Sequence, residues 1–322
     1  MEPGTTRNMP NKMLLNSPAF SVVIPVYNRS DLVANAIESV LCQSLQDFEI
    51  LVVDDGSTDD IASAILRFND SRIKLLRQSN AGASAARNAG MDIASGRYTA
   101  FLDSDDLFLP HHLETMKMLL DQSSEVAAYS PVIVRRGSGR SFVKPPRAIR
   151  PSENMAVYLI CDRGFVQTSG LALHSQVARR VRYRADAIFG DDTDFAIRLQ
   201  LAGCRFQMTA TPTVIWADDV EHDRLSVGRT PIGDLPWLED LRSQIPARAY
   251  HGYRGWHFAK SIAHQSAWKA MILYIVAVAR GAYSPRLACI VLLQILLPDA
   301  RYRALTDKWL FSKRGRQRVE AA

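Results

Sequence analysis

The sequence predicts an α/β fold: a mostly parallel, twisted sheet flanked by helices, with a helical appendage at its C-terminal end. Three observations predict it. Short, continuous apolar runs alternate with stretches of helical period in the first half. The apolar runs end in loops rich in Asp, Asn and Ser. The last third loses this alternation and carries two longer apolar stretches. Alternation of this kind means a parallel sheet covered on both faces. The 322 residues suit one large domain, or a domain plus an appendage, and bury a sizeable core without staples.

The elements follow in order. Residues 20–26 are continuously apolar, as in a strand buried on both faces. Ser30 is placed to cap a helix whose stripe is Val33, Ala36, Ile37, Val40 and Leu41. Residues 48–53 form the second strand. Thr58 or Asp59 opens a helix carrying Ile61, Ile65 and Phe68. Residues 72–77 are a third strand, 83–94 a helix of small residues and 97–102 a fourth strand. Pro110 is expected in the first turn of the next helix. Residues 137–151, rich in Gly, Pro and Arg, read as a loop. A helix at 153–162, a strand at 166–173 and a helix at 191–202 follow, with Gly203 just past the helix end. Residues 205–209 and 213–217 read as short strands.

Composition narrows the function. The four cysteines, Cys42, Cys161, Cys204 and Cys289, are widely spaced, which argues against a zinc site or a disulfide framework. Residues 1–19 are polar and proline-containing, with no apolar run long enough for a signal peptide, so they read as a flexible leader on a cytoplasmic protein. The net charge of +6 is concentrated in residues 135–184 and 301–318. Basic and aromatic residues are not interleaved, and no zinc-finger spacing occurs. Nucleic acid is therefore not expected as a partner, whereas an anionic acceptor or membrane face is.

Ligands of open parallel sheets gather beyond the carboxyl ends of the strands. Those ends read Pro25-Val26-Tyr27-Asn28, Asp54-Asp55-Gly56-Ser57 and Asp103-Ser104-Asp105-Asp106. Carboxylates this dense repel unless a cation or a proton holds them. An Asp-x-Asp at a strand end can bind a hard divalent ion that completes its shell with water and phosphate oxygens. Such an ion neutralises a departing diphosphate without proton transfer. A solvated Asp-rich turn would read the same at this point.

The segments FSVVIPVYNR, EILVVDDGSTD, NAGASAARNAG, GRYTAFLDSDD and GDDTDFAIRLQLAG settle that choice. In order and spacing they resemble the inverting, GT-A-fold glycosyltransferases of family 2, over about residues 20–225. The resemblance implies a GT-A catalytic domain at 20–225. Its nucleotide-sugar half would be 20–125 and its acceptor half 126–225, with a helical, basic region at 226–322. It implies that Pro25, Tyr27 and Asn28 lie by the donor's base and ribose, that Asp55 hydrogen-bonds the base, and that Asp54 fixes the loop. Asn80, Gly82, Arg87 and Asn88 would line the donor side. Arg87 suits either a phosphate or a salt bridge to the aspartates. Asp103 and Ser104 fall at the ribose contact, Asp105 at the metal ligand for Mn2+ or Mg2+, and Asp106 at a second ligand position. His222, ahead of Ser226, stands where some relatives place a histidine near the metal. Asp191 and Asp192 resemble the family's acidic pair at a helix start, where the dipole favours negative charge. Asp192 is the expected general base and Asp191 the next choice; position 191 is more often Glu in the family, a departure that leaves open which of the two does what. Asp194 is expected to pair with Arg198, four residues on.

The expected partners are a nucleotide-diphospho-sugar, with a uracil nucleotide preferred, and a glycan or lipid-linked acceptor in cell-surface polysaccharide or glycolipid synthesis. A sugar-phosphate nucleotidyltransferase is the alternative. It calls for a glycine-rich basic loop after the first strand, where this chain has Val26-Tyr27-Asn28-Arg29-Ser30. An aspartyl phosphatase would carry its Asp-x-Asp after the first strand. A non-catalytic sugar-binding protein would not need both acidic sets. The apolar stretches 258–279 and 287–297 are broken or too short to span a bilayer comfortably, which takes roughly 20 apolar residues. With the basic residues Arg301, Arg303, Lys308, Lys313, Arg314, Arg316 and Arg318, the second stretch suits peripheral attachment to the inner face of the membrane.

Overall fold

The structure is a computed structural model that describes residues 17–136, 140–185, 190–218, 235–298, 301–302 and 304–306. The leader up to residue 16, His222, Ser226, Arg303 and the basic residues from Lys308 onward lie outside these.

The first half runs β1 (Phe20–Val26), α1 (Ser30–Leu41), β2 (Phe48–Asp54), α2 (Ile61–Leu66), β3 (Ile73–Arg77), α3 (Ala83–Ile93) and β4 (Tyr98–Phe101). It continues through β5 (Leu107–Phe108), α4 (His112–Leu120), β6 (Val126–Tyr129), β7 (Val132–Arg136) and β8 (Arg140–Lys144). Then come α5 (Met155–Cys161), β9 (Leu171–His174), α6 (Ser175–Val181), α7 (Asp191–Leu201), β10 (Arg205–Met208) and β11 (Val214–Ala217). The C-terminal helices are α8 (Pro236–Asp240), α9 (Ala247–Tyr253), α10 (Ala259–Ile262), α11 (Ala267–Ala279) and α12 (Pro285–Leu296).

Seven strands form the main sheet in the order β10-β6-β9-β4-β1-β2-β3. Neighbours are parallel except at β9, which runs antiparallel to both β4 and β6. A second sheet is ordered β5-β11-β7-β8. Alternate residues of the central strands feed two cores. Val23, Leu51 and Val53 pack with α3, α5 and α7 on one face. Val22, Ile24, Ile50 and Val52 pack with α1, α2 and α4 on the other. This double cover is why β1 and β2 are apolar throughout. The small residues of α3 let it approach closely: a Cβ on Gly90 would lie 2.4 Å from Val23 Cγ1.

Several local expectations are corrected. Ser30 begins α1 rather than capping it, and its N–H donates to the Asp59 carboxylate at 2.8 Å. That cap comes from a loop distant in sequence. Asp60, not Thr58 or Asp59, caps α2. Pro110 precedes α4, which starts at His112. The segment expected as a loop at 137–151 contains β8, paired antiparallel with β7. The strand expected at 166–173 is β9, preceded by a 3-10 turn at Thr168–Gly170. Gly203, with φ of +95°, follows α7 as expected.

In the C-terminal region a π-helical turn, Arg254–Phe258, separates α9 from α10. A turn at 263–266 then separates α10 from α11, so the stretch 258–279 holds two helices. Helix α11 turns Ala270 and Ala277 inward, and α12 buries Leu287, Ala288, Val291 and Ile295. Among the described residues no helix is long and apolar enough to cross a membrane.

Candidate active site

The site is built on the carboxyl edge of β1, β2 and β4. Pro25 is buried within β1. Beyond it Tyr27 is exposed, and Asn28 takes a φ of +52°, a conformation asparagine tolerates better than most residues. The Asn28 carboxamide oxygen accepts the Thr58 N–H at 2.7 Å and the Thr58 hydroxyl at 3.1 Å. Its own N–H donates to Ser57 Oγ at 3.0 Å. These bonds lock the loop after β1 onto the loop after β2.

Asp54 is buried and accepts the Ser57 N–H at 2.8 Å, the loop-fixing position expected for it. Asp55 is also buried. It accepts Gln78 Nε2 at 2.7 Å, the Ala81 N–H at 2.9 Å and the Gly82 N–H at 2.8 Å. One carboxylate thus shapes the turn that holds exposed Asn80, and it retains an acceptor site for one more donor. Gly82 sits at φ +91°, and Gly56, at φ +80°, lies where a Cβ would come 2.8 Å from the Asn80 backbone nitrogen.

Arg87 rises from α3 into the middle of the acidic edge. Its Nη2 donates to Asp103 at 2.7 Å and its Nη1 to Asp191 at 2.8 Å. The guanidinium also lies 5.0 Å from the ring centre of Tyr183. The salt-bridge alternative for Arg87 is the arrangement seen. Asn88 holds the backbone of Tyr183 through bonds of 2.8 and 2.9 Å.

Beyond β4, the four residues Asp103 to Asp106 divide by direction. Asp103 stays partly exposed, and its N–H donates to Ser169 Oγ at 3.0 Å. Ser104 is buried. Asp105 is partly exposed and pairs with Arg29 Nη1 at 2.7 Å. Asp106 is buried and faces inward, accepting Gln167 Nε2 and Ser169 Oγ at 2.6 Å each and the Ala217 N–H at 3.3 Å. Burial, with Asp103 and Asp105 nearby, holds its carboxyl well above the usual range. Asp106 thus binds the two sheets together rather than facing the edge.

The opposite wall is the first turn of α7. Asp194 is buried and paired with Arg198 at 2.5 Å, as its spacing requires. Asp192 accepts the Thr168 hydroxyl. Burial, and then the neighbouring charge of Asp191, push the Asp192 carboxyl up to about 7, while Arg87 works in the opposite direction. A carboxyl poised there can change protonation near neutral pH.

A divalent ion fits this donor set only in one manner. Asp103 and Asp105 are the partly exposed carboxylates of the β4 loop, and Asp106 is already engaged. Among the described residues no three His, Cys, Asp or Glu side chains converge into a cage. One or two carboxylates plus water and phosphate are what Mg2+-like ions use. His222 is outside the described residues.

Sequence reading missed Arg29, Gln167, Thr168, Ser169 and Tyr183. Arg29 is the last residue of the first motif and could have been found there. Gln167, Thr168 and Ser169 fall in the stretch read as a strand at 166–173, and Tyr183 in a stretch without a pattern.

The profile of glycosyl transferase family 2 matches residues 21–181. AmsB of Erwinia amylovora, named an amylovoran biosynthesis glycosyltransferase, is 29% identical over 248 residues, covering 74% of this chain and 82% of AmsB. WfgD of Escherichia coli, named a UDP-Glc:alpha-D-GlcNAc-diphosphoundecaprenol beta-1,3-glucosyltransferase, is 46% identical over 130 residues, 39% of this chain and 51% of WfgD. A glycosyltransferase of Rickettsia conorii is 46% identical over 121 residues, and the match spans 37% of this chain and only 20% of that protein. Among solved structures, S. aureus TarS residues 1–349 in complex with UDP-GlcNAc superposes with a TM-score of 0.61 at 15% identity, covering 90% of this chain and 91% of that one. The fold is therefore GT-A, and the chain belongs to glycosyl transferase family 2.

Proposed function

We propose that the protein transfers a sugar, with inversion, from a nucleotide diphosphate donor to a hydroxyl of a lipid-linked or glycan acceptor, with a UDP-sugar as the preferred donor. The observation that carries this reading is Arg87, which ties Asp103 of the donor strand to Asp191 of the acceptor-side helix beside Asp192. The activities for which WfgD and AmsB are named and the UDP-GlcNAc complex of TarS support the donor and acceptor classes. Residues 20–225 form the catalytic domain in this reading, with the donor half at 20–125 and the acceptor half at 126–225. The protein works at the inner face of the membrane.

Asp192 accepts the acceptor's hydroxyl proton. The freed oxygen forms its bond to the anomeric carbon as the bond from that carbon to phosphate oxygen breaks, and the electron pair leaves with the nucleoside diphosphate. General-base help of this kind is worth about 10²–10⁴-fold. Thr168 orients the Asp192 carboxylate, and Arg87 moderates the charge of its neighbours. Tyr27 and Asp55 frame the base, and Asn80 and Gly82 the donor side. Asp105 would hold Mn2+ or Mg2+ with the donor's phosphates, and the ion would supply charge neutralisation for the leaving group. Asp106 supports that loop from beneath.

The test is a screen of purified protein, with Mn2+ or Mg2+, against nucleotide sugars based on uracil, thymine, guanine and adenine. Thermal stabilisation and slow donor hydrolysis are read. A uracil or thymine nucleotide should stabilise most. Equal response to all four, or a purine preference, overturns the donor assignment. Consumption of UTP with a sugar phosphate would replace the whole reading by nucleotidyl transfer.

A further inference from the structure

The sequence from residue 241 to 298 contains no aspartate or glutamate, but seven lysines and arginines: Arg242, Arg248, Arg254, Lys260, Lys269, Arg280 and Arg286. Within it, α11 is apolar on the side that packs and also on the side that does not. Ala270 and Ala277 face inward, with Ala277 Cβ lying 2.4 Å from where a Cβ on Gly255 would stand. On the opposite side Trp268, Ile272 and Ile275, spaced as one helical face, are 64%, 50% and 56% exposed. Val276 and Val278 flank them and are exposed as well. A soluble surface helix would carry polar residues there. Beside this face a groove of about 610 Å3 opens between α10 and α11, lined by Phe258, Ile262, Trp268 and Ile272 together with Arg254 and Lys269.

We propose that this face of α11 docks on an anionic lipid surface. Trp268, Ile272 and Ile275 enter the boundary between headgroups and chains, and Arg254 and Lys269 meet the lipid phosphates. Three observations select this occupant. A contiguous apolar patch with a tryptophan at its margin has the character of an interfacial helix. The two charged residues of the groove beside it, Arg254 and Lys269, are both cations, which an anionic surface attracts and a second copy of the same face repels. The groove joins apolar walls to two cations, the chemistry of a lipid chain beneath its headgroup. The sequence placed the membrane contact at 287–297, where Leu287, Val291 and Ile295 are turned into the core while Leu293 and Leu296 stay exposed. This proposal does not depend on the donor or the acceptor of the reaction.

The full-length protein is mixed at low salt with vesicles of phosphatidylcholine alone or with an equal part of phosphatidylglycerol, then sedimented. It should pellet with the anionic vesicles and release as salt is raised. The combined substitution Trp268→Ser, Ile272→Ser and Ile275→Ser should weaken partitioning by about tenfold or more while leaving the melting temperature unchanged, since the side chains are exposed. Wild-type tryptophan emission should shift to the blue on the anionic vesicles, and Trp268→Phe should remove most of that shift. A wild type that stays in the supernatant, a triple variant that pellets equally well, or a blue shift intact in Trp268→Phe overturns the proposal. So does a concentration-dependent dimer, abolished by the triple substitution, in a protein that ignores vesicles. In that case a second copy covers the face.

Discussion

Arg87 donates to Asp191 across 2.8 Å, joining residues 104 positions apart in the chain. The same guanidinium holds Asp103, so one buried cation fixes the spacing between the end of β4 and the start of α7. Without it three carboxylates would face one another across the edge, and the first turn of α7 would have no anchor on the donor strand.

Replacing Arg87 by Gln should therefore do more than weaken a bond. The variant should lose about 2–3 kcal/mol of stability in urea, less than for a fully buried pair because both partner carboxylates keep contact with water. Its residual turnover should require a higher pH than wild type, because removing a cation raises the carboxyl of Asp192 further. A pH profile that stays in place would show that Arg87 acts on the fold alone.

The pH dependence of the wild type has a definite sign. Asp192 is raised from an ordinary 3.8 to about 7. Between those values the folded protein binds more protons than the unfolded chain, so this group stabilises the fold at low pH and the contribution is lost as pH rises from 3.8 to about 7. Turnover should move the other way, rising through pH 7 as the base ionises. Urea midpoints and initial rates across pH 5–9 would check both, and Asp192→Asn should flatten the stability trend.

The division of labour between the acidic pair is open to direct measurement. Asp192→Asn should leave donor affinity nearly intact and lower kcat by about 10²–10⁴. Asp191→Asn should cost less in kcat. It should cost more in stability, because it breaks the Arg87 contact. A larger kcat loss at Asp191 would exchange the two roles, and near-normal rates in both variants would place the base elsewhere.

For Asp105, calorimetry of UDP binding with and without Mn2+ is the informative experiment. Wild type should bind more tightly with the ion, and Asp105→Ala should abolish that increment and turnover alike while remaining folded, since this carboxylate is partly exposed. Full activity of the wild type in excess chelator would remove the ion from the reaction.

Much of this was legible in the sequence for a physical reason. A strand covered on both faces must be apolar throughout, so β1 and β2 declare themselves. Arg140–Lys144 does not, because it lies between Gly- and Pro-rich stretches, and its strand character comes from pairing with β7. The Asp59 contact to α1 is likewise tertiary, invisible to a rule that looks for a cap next to the helix. In the site, Asp103, Asp105, Asp191 and Asp192 could be named from motif and strand-end position. Which of the clustered carboxylates turns inward could not. Asp106 faces Gln167 and Ser169, and nothing in Asp103-Ser104-Asp105-Asp106 says so before the chain is folded.

The reversed direction of β9 has a consequence for how this framework can be altered. Parallel strands present their carboxyl ends to the reaction edge, but β9 presents its amino end, so the 3-10 turn at Thr168–Gly170 reaches Asp103 and Asp192. Loop grafts or length changes at 163–166 thus fall beside the edge that Asp103 and Asp192 line, and equivalent changes where β9 passes into α6 fall at the remote rim. A designer seeking new specificity should vary the first junction and leave the second untouched.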